Sequence, residues 1–149
     1  NKIQNIYIFI KVCVMTERES LGTADEIRQF VYLFYDRVRK DEQLGPVFDH
    51  HIHDWNAHLE KMVQFWSSML LGTGTYSGTP MPKHVALPNI TGELFGRWLG
   101  LFRETMNTLE NQALAQRAEL FAHRIARSLW YGYQLHHYPD KPLTEITHG

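Results

Sequence analysis

The segment from Tyr76 to Pro88 limits the fold more than any other part of this chain. It contains Pro80, Pro82 and Pro88 and separates two strongly apolar segments with helical spacing. Proline fixes its own φ angle and restricts the residue before it, so neither flanking helix can continue through the segment. Long irregular loops are uncommon in compact domains and are usually functional. The loop therefore holds His84 beside an aromatic core, where a rigid imidazole is a candidate metal ligand.

Four segments carry apolar residues at three- and four-residue spacing, which is the pattern of amphipathic helices. The predicted helices run from Thr23 to Lys40, from Asp54 to Gly72, from Thr91 to Leu109 and from Gln112 to His136. Between them we expect a polar connection over residues 41–53 and a loop without regular structure over residues 73–88. No segment inside the domain predicts a strand. The chain is therefore expected to be all-α, either a bundle or a globin-like sandwich.

The chain has 149 residues, the length of one domain with one core. We expect residues 1–22 to be an extension outside the domain, residues 23–138 to form the domain, and residues 139–149 to be a frayed polar tail. An apolar run from Ile6 to Val14 is too short to span a bilayer, and no signal-peptide cleavage site follows it. No membrane association is therefore expected.

The charges are balanced, with 15 Lys and Arg against 16 Asp and Glu. There is no basic block and no low-complexity tract, so nothing favours a nucleic-acid partner. Cys13 is the only cysteine, so no intramolecular disulfide can form and a reducing, cytoplasmic location is expected. The chain lacks a glycine-rich phosphate loop, a nucleophile elbow and a His-Glu-x-x-His motif, which argues against hydrolase, kinase and nicotinamide chemistry.

Nine histidines and 13% aromatic residues favour metal or haem chemistry with a flat ligand. Tyr35, His58 and Trp98 lie on three different predicted helices, and each type is common in a core. Together they can donate hydrogen bonds toward one point, which suits a bound anion or a polarised diatomic molecule. His84 alone is more often a loop histidine bonded to backbone, so its interpretation depends on these three residues.

A second group of histidines raises the alternative of a zinc site. Its members are His50, His51, His53 and His58, with Asp54 among them. His53 and His58 are five residues apart, which does not place them on one helix face, so a solvated loop fits better. His136 and His137 are expected at an exposed helix end, where an imidazolium is favourable.

Several stretches of the chain form one combined pattern. They run from Phe34 to Asp41, Leu44 to Phe48, Trp55 to His58, Phe65 to Gly72, Tyr76 to Leu87 and Arg97 to Phe102. This combination resembles the truncated haemoglobins, is most like group III, and covers roughly residues 24–137. The double-glycine motifs that groups I and II usually carry are not evident. The resemblance implies a helical two-over-two sandwich around one haem.

The resemblance also implies a role for each matching residue. His84 corresponds to the proximal histidine that binds the iron of haem b. Tyr35, His58 and Trp98 correspond to distal donors that stabilise a bound ligand. Further contacts with the haem are implied for Phe48, Met62, Phe65, Trp66, Leu87 and Phe102, with Lys83 beside a propionate.

The function implied by the resemblance is that of a globin that binds dioxygen and other diatomic ligands at haem iron. Three donors predict slow release of dioxygen, because they stabilise partial negative charge on the ligand. Slow release suits nitric oxide dioxygenase or peroxidase-like activity with an electron-donating reductase. The alternatives are a haem-free regulatory or interaction module with a globin fold, and a non-haem metal protein that uses the histidines of residues 50–58.

Overall fold

The computed structural model describes residues 4–6, 21–78 and 80–147, so most of the predicted extension over residues 1–22 lies outside the described residues. From residue 21 onward the described chain forms helices and no strands. The helices are α1 (Ala24–Lys40), α2 (Leu44–His51), α3 (Trp55–Leu71), α4 (Met81–Val85), α5 (Gly92–Asn107) and α6 (Gln112–His137). The all-α prediction and the four long helices are therefore confirmed.

Side-chain caps fix where the long helices begin. The Thr23 hydroxyl accepts from the Glu26 amide at 3.2 Å, and the Glu26 carboxylate accepts from the Thr23 amide at 3.0 Å. These two bonds form the predicted capping box. Asp54 and Thr91 cap α3 and α5 in the simpler way, each accepting one amide of the first turn. Gly72 ends α3 with a φ of 70°, which glycine adopts without strain.

The connection expected to be irregular after α1 instead forms α2. Asp41 starts this helix, because its carboxylate accepts from the amides of Gln43 at 3.0 Å and of Leu44 at 2.9 Å. Pro46 lies in the first turn, where its missing N–H would have had no partner inside the helix. The same carboxylate accepts from Arg97 of α5 at 2.8 Å. The sequence pattern missed α2 because a distant residue contributes to holding its start.

The long loop also contains a helix, α4, which the sequence analysis placed in irregular structure. Both prolines at its start fall where a helix tolerates them. A five-residue helix is not stable by itself, so packing must hold it. Among the helices of the described residues, α4 packs against α6 alone.

The long helices form two crossed pairs. α1 packs on α3, α5 packs on α6, and the contact between α1 and α5 joins the pairs into the predicted two-over-two sandwich. Aromatic rings fill the centre, where Phe30, Trp66 and Phe102 meet with centroids 5.2 to 6.1 Å apart. Burying such side chains stabilises the fold by about 1.5–3 kcal/mol each. The core therefore lies where the pairs cross.

The tail after α6 is anchored as far as the structure describes it, so the expectation of a frayed tail is wrong. The buried Gln134 amide group accepts from the Thr144 amide at 2.8 Å and donates to the Thr144 carbonyl at 3.0 Å. Ile146 packs against the core. These two hydrogen bonds and the packing of Ile146 hold the tail on the domain although most of its residues are polar.

Candidate functional site

A cavity of about 360 Å³ lies between α3 and α4 and extends toward α5 and α6. Both α3 and α4 line this cavity, and within the described residues the two helices do not pack against each other. The volume is in the range of small-molecule sites, roughly 300–1,000 Å³. The structure brings to this cavity Tyr35, Phe48, His58, Met62, Phe65, Trp66, Lys83, His84, Leu87 and Trp98. Most of the predicted site residues therefore share one pocket.

His84 reaches the cavity from α4. Its Nδ1 lies 2.7 Å from the Pro80 carbonyl oxygen. A carbonyl only accepts, so Nδ1 carries the proton in this bond. The other ring nitrogen, Nε2, then keeps its lone pair, which is the state in which imidazole binds a metal. The proline turn thus fixes both the position and the tautomer of His84.

His58 lies on α3, the other helix that borders the cavity. Its Nε2 is buried and, among the described residues, has no hydrogen-bond partner. Burial is the main cause that lowers the pKa of His58 to about 4, and electrostatic contributions from Lys61, His84 and Lys83 account for the rest of the shift. The ring is therefore neutral near pH 7. A buried polar atom without a partner is costly, so this atom favours an occupant that bonds to it.

Tyr35 and Trp98 supply two further donors. Tyr35 is 5% exposed, and burial raises the pKa of its hydroxyl, which stays protonated. No described residue is hydrogen-bonded to that hydroxyl, and its ring contacts the His58 ring at 5.3 Å. The indole of Trp98 can only donate. Its ring packs edge-on against Phe34 at 5.2 Å, which fixes its orientation beside the cavity.

Phe102 is the one predicted contact residue that does not line the cavity. It is fully buried and stacks on Trp66 at 5.2 Å and on Trp98 at 5.5 Å. Trp98 and Phe102 are four residues apart and share a helix face, which is why the sequence grouped them. Phe102 therefore supports two cavity walls from behind.

Lys61 was missed by the sequence analysis. It follows His58 by three residues on α3, and with Lys83 it lies exposed at the cavity mouth. The neighbouring Lys83 ammonium lowers the pKa of Lys61. Two cations this close favour an anionic group between them. The i, i+3 spacing from His58 was the signal that could have identified Lys61.

The remaining lining residues come from several helices and loops, and no sequence motif identified them as cavity residues. They are Leu44, Val47, His51, Ile52, Tyr76, Pro80, Ile90, Leu94, Phe95, Ile125, Ala126 and Leu129. Those on α6 lie about 90 residues from Tyr35 in the chain, and only the tertiary fold brings them together.

The second histidine group is spread along α2 and the start of α3. His50 and His51 contact each other edge-on with ring centroids 5.0 Å apart. Within residues 4–6, 21–78 and 80–147, no three His, Cys, Asp or Glu residues are arranged to hold a metal ion. No helix among the described residues is both long and apolar enough to cross a bilayer.

Comparisons with known proteins agree with this architecture. A sequence profile of the bacterial-like globins matches residues 17–127. The chain is 38% identical over 117 residues to the group 3 truncated hemoglobin of Campylobacter jejuni, covering 72% of this chain and 92% of the relative. The crystal structure of group III truncated hemoglobin from Campylobacter jejuni matches with a TM-score of 0.71 and 33% identity, covering 81% of this chain and 96% of that chain.

A two-over-two helical sandwich with an apolar cavity bordered by a histidine on each side has the architecture of a globin. Globins of this kind bind haem. The chain belongs to the truncated haemoglobin family and is most like its group III. The residues of the cavity fit the cofactor: His84 has a free Nε2, His58 has a buried nitrogen with no partner in the described part of the chain, and two ammonium groups lie at the mouth.

Proposed function

We propose that the cavity holds haem b with His84 as the proximal ligand, and that the protein binds dioxygen and other diatomic ligands. One observation carries this proposal. His84 and the buried Nε2 of His58, which has no hydrogen-bond partner among the described residues, border the same cavity from two helices that do not pack against each other. The first residue would offer a lone pair to the iron, and the second would offer a polar atom to a bound gas.

When bound, haem would supply an iron that can bind a diatomic gas. The Tyr35 hydroxyl donates a hydrogen bond into this space, because burial raises its pKa and keeps it protonated. Trp98 donates its indole N–H from the neighbouring helix. Neutral His58 donates or accepts, depending on its tautomer. Three groups therefore stabilise a ligand that carries partial negative charge.

The other cavity residues hold the cofactor in this proposal. Phe48, Met62, Phe65, Trp66 and Leu87 contact the flat ring system, and Phe102 supports it through Trp66 and Trp98. Lys83 pairs with a propionate, and Lys61 joins it. The helices that carry these residues lie within the expected domain of residues 23–138.

We infer further that the activity is redox chemistry on the bound gas, either nitric oxide dioxygenase or peroxidase-like, with electrons from a separate reductase. The support is the number of donors around one position, because a tightly held ligand is released slowly. The test is Tyr35→Phe. Loss of a hydrogen bond to a charged ligand should speed dioxygen dissociation by about 10- to 100-fold in stopped-flow measurements. Dissociation unchanged by the substitution would remove Tyr35 from this role.

His84→Ala tests the cofactor itself. It should abolish the spectrum of five-coordinate, histidine-bound ferrous haem, while His53→Ala, which removes an exposed histidine, should leave that spectrum unchanged. If the wild-type chain gave no Soret band after haem was added, the haem-free regulatory module would be the better interpretation. If His84→Ala kept the histidine-bound spectrum, another residue would be the ligand.

A further inference from the structure

Within the described chain, the position of α4 depends on its packing against a single helix, α6. α4 has five residues, carries His84, and packs against α6 alone among the described helices. A helix this short has little stability of its own, so the α6 residues that reach it decide where His84 stands. Two side chains of α6, Tyr133 and His137, form hydrogen bonds to this region.

His137 binds the end of α4. Its Nε2 lies 2.7 Å from the Val85 carbonyl oxygen. The last carbonyls of a helix have no partner inside it, and Val85 follows His84 directly. Because the carbonyl can only accept, His137 donates. His137 is exposed as the sequence predicted, yet it caps a helix of another segment.

Tyr133 binds the chain just beyond α4. Its hydroxyl accepts from the Ile90 amide at 3.2 Å, and the side chain is 2% exposed. Its ring stacks on His137 with centroids 4.2 Å apart and an angle of 28° between the planes. The stack fixes the His137 ring, so the two hydrogen bonds act on α4 and its exit as one unit.

We propose that Tyr133 and His137 form a clamp that positions His84 and thereby sets the strength and uniformity of its bond to haem iron. This inference rests on the proposed function of His84. Both are positioning residues, since neither lines the cavity. The clamp fixes the helix from its C-terminal end, while the bond from His84 to Pro80 fixes the ring from its N-terminal end.

The first test compares His137→Phe with His136→Phe. The first variant keeps an aromatic ring for the stack and removes the donor to Val85. The second makes the same change at the adjacent exposed position, whose ring contacts His137 but is not hydrogen-bonded to α4 among the described residues. Resonance Raman spectra of the ferrous, ligand-free protein should show a shifted or broadened iron–histidine band for His137→Phe and an unchanged band for His136→Phe. A His137→Phe band that superimposes on the wild-type band would overturn the proposal.

The second test needs no haem signal. Tyr133→Phe should speed hydrogen exchange of the Ile90 amide by roughly 3- to 10-fold, because that amide loses its acceptor. His137→Phe should likewise speed exchange of the Ala86 amide at the end of α4. Unchanged exchange in both variants would refute the clamp. A wild-type spectrum without an iron–histidine band would contradict the proposed function instead, and these exchange rates would then decide the clamp by themselves.

Discussion

Asp41 joins two walls of the cavity, and its removal should be among the costly polar substitutions in this chain. The carboxylate is 6% exposed and accepts from the Gln43 and Leu44 amides, which start α2. It also accepts from Arg97, the residue before Trp98. α2 carries Phe48 to the cavity and α5 carries Trp98, so one side chain holds both in register.

The loss of folding free energy on removing this carboxylate has two parts, the helix cap and the ion pair with Arg97. Loss of a helix cap costs about 1 kcal/mol. A hydrogen bond to a charged partner contributes about 1.5–3 kcal/mol, but the Arg97 side chain is 40% exposed, so solvent screening reduces this to about 1 kcal/mol. Asp41→Ala loses both and should cost about 2 kcal/mol, whereas Asp41→Asn keeps an acceptor for the cap and should cost about 1 kcal/mol.

Urea denaturation at pH 7 measures these costs, and a series at lower pH tests their origin. Arg97 holds the pKa of Asp41 below its usual range. The stabilisation is therefore complete above about pH 4 and is lost as the pH falls through the lowered folded pKa. Asp41→Asn should show a weaker loss of stability in acid than the wild-type protein. If Asp41→Asn and Asp41→Ala lost equal stability, or if Asp41→Asn kept the acid dependence of the wild-type protein, separate contributions from the cap and the ion pair would be refuted.

Three further substitutions, one of them a control, test two other features of the fold. His58 has a folded pKa of about 4, so as the pH falls from 7 to 5 the unfolded chain gains a proton that the folded chain does not. Haem-free wild-type protein should lose about 1 kcal/mol in urea denaturation over this range, after discounting for partial exposure, and His58→Leu should lose less; the same slope in both would exclude His58. Gly45→Ala would place a Cβ 2.6 Å from the Arg39 carbonyl oxygen and should cost about 1–3 kcal/mol, measured as a lower thermal midpoint. Gly100→Ala is the matched control on α5, since nothing lies within 4 Å of its Cβ, and should raise stability by about 0.5–1 kcal/mol. A loss as large at position 100, where the added Cβ meets nothing, would show that crowding is not the cause of the loss at position 45.

The long helices could be predicted because their signals are local. The Thr23–Glu26 capping box and the apolar spacing both lie within a few residues of what they determine. α2 and α4 could not be predicted in this way. The start of α2 depends on a carboxylate that also binds Arg97, and α4 is held by residues about 50 positions later in the chain.

Some residues of the candidate site could likewise be predicted from the sequence, and others could not. His84, Tyr35 and Trp98 could be predicted because the residues around them resemble a known family, and the structure brings all three to one cavity. Phe102 could not be separated from Trp98 by spacing, because both lie on one helix face and only packing shows which of them borders the cavity. Lys61 has a sequence signal in its i, i+3 spacing from His58, but its pairing with Lys83 of another helix is visible only in the structure.

The helices that carry His58 and His84 border the cavity from two sides, and among the described residues their backbones do not pack against each other. A molecule that touches both helices therefore adds packing between them that their backbones do not provide. Binding of that kind stabilises the folded chain by mass action, by about 2.7 kcal/mol when the free ligand is at 100 times its dissociation constant. The occupant of the cavity is thus a partner in the folding equilibrium. The unfolding midpoint therefore depends on the concentration of free cofactor as well as on the sequence.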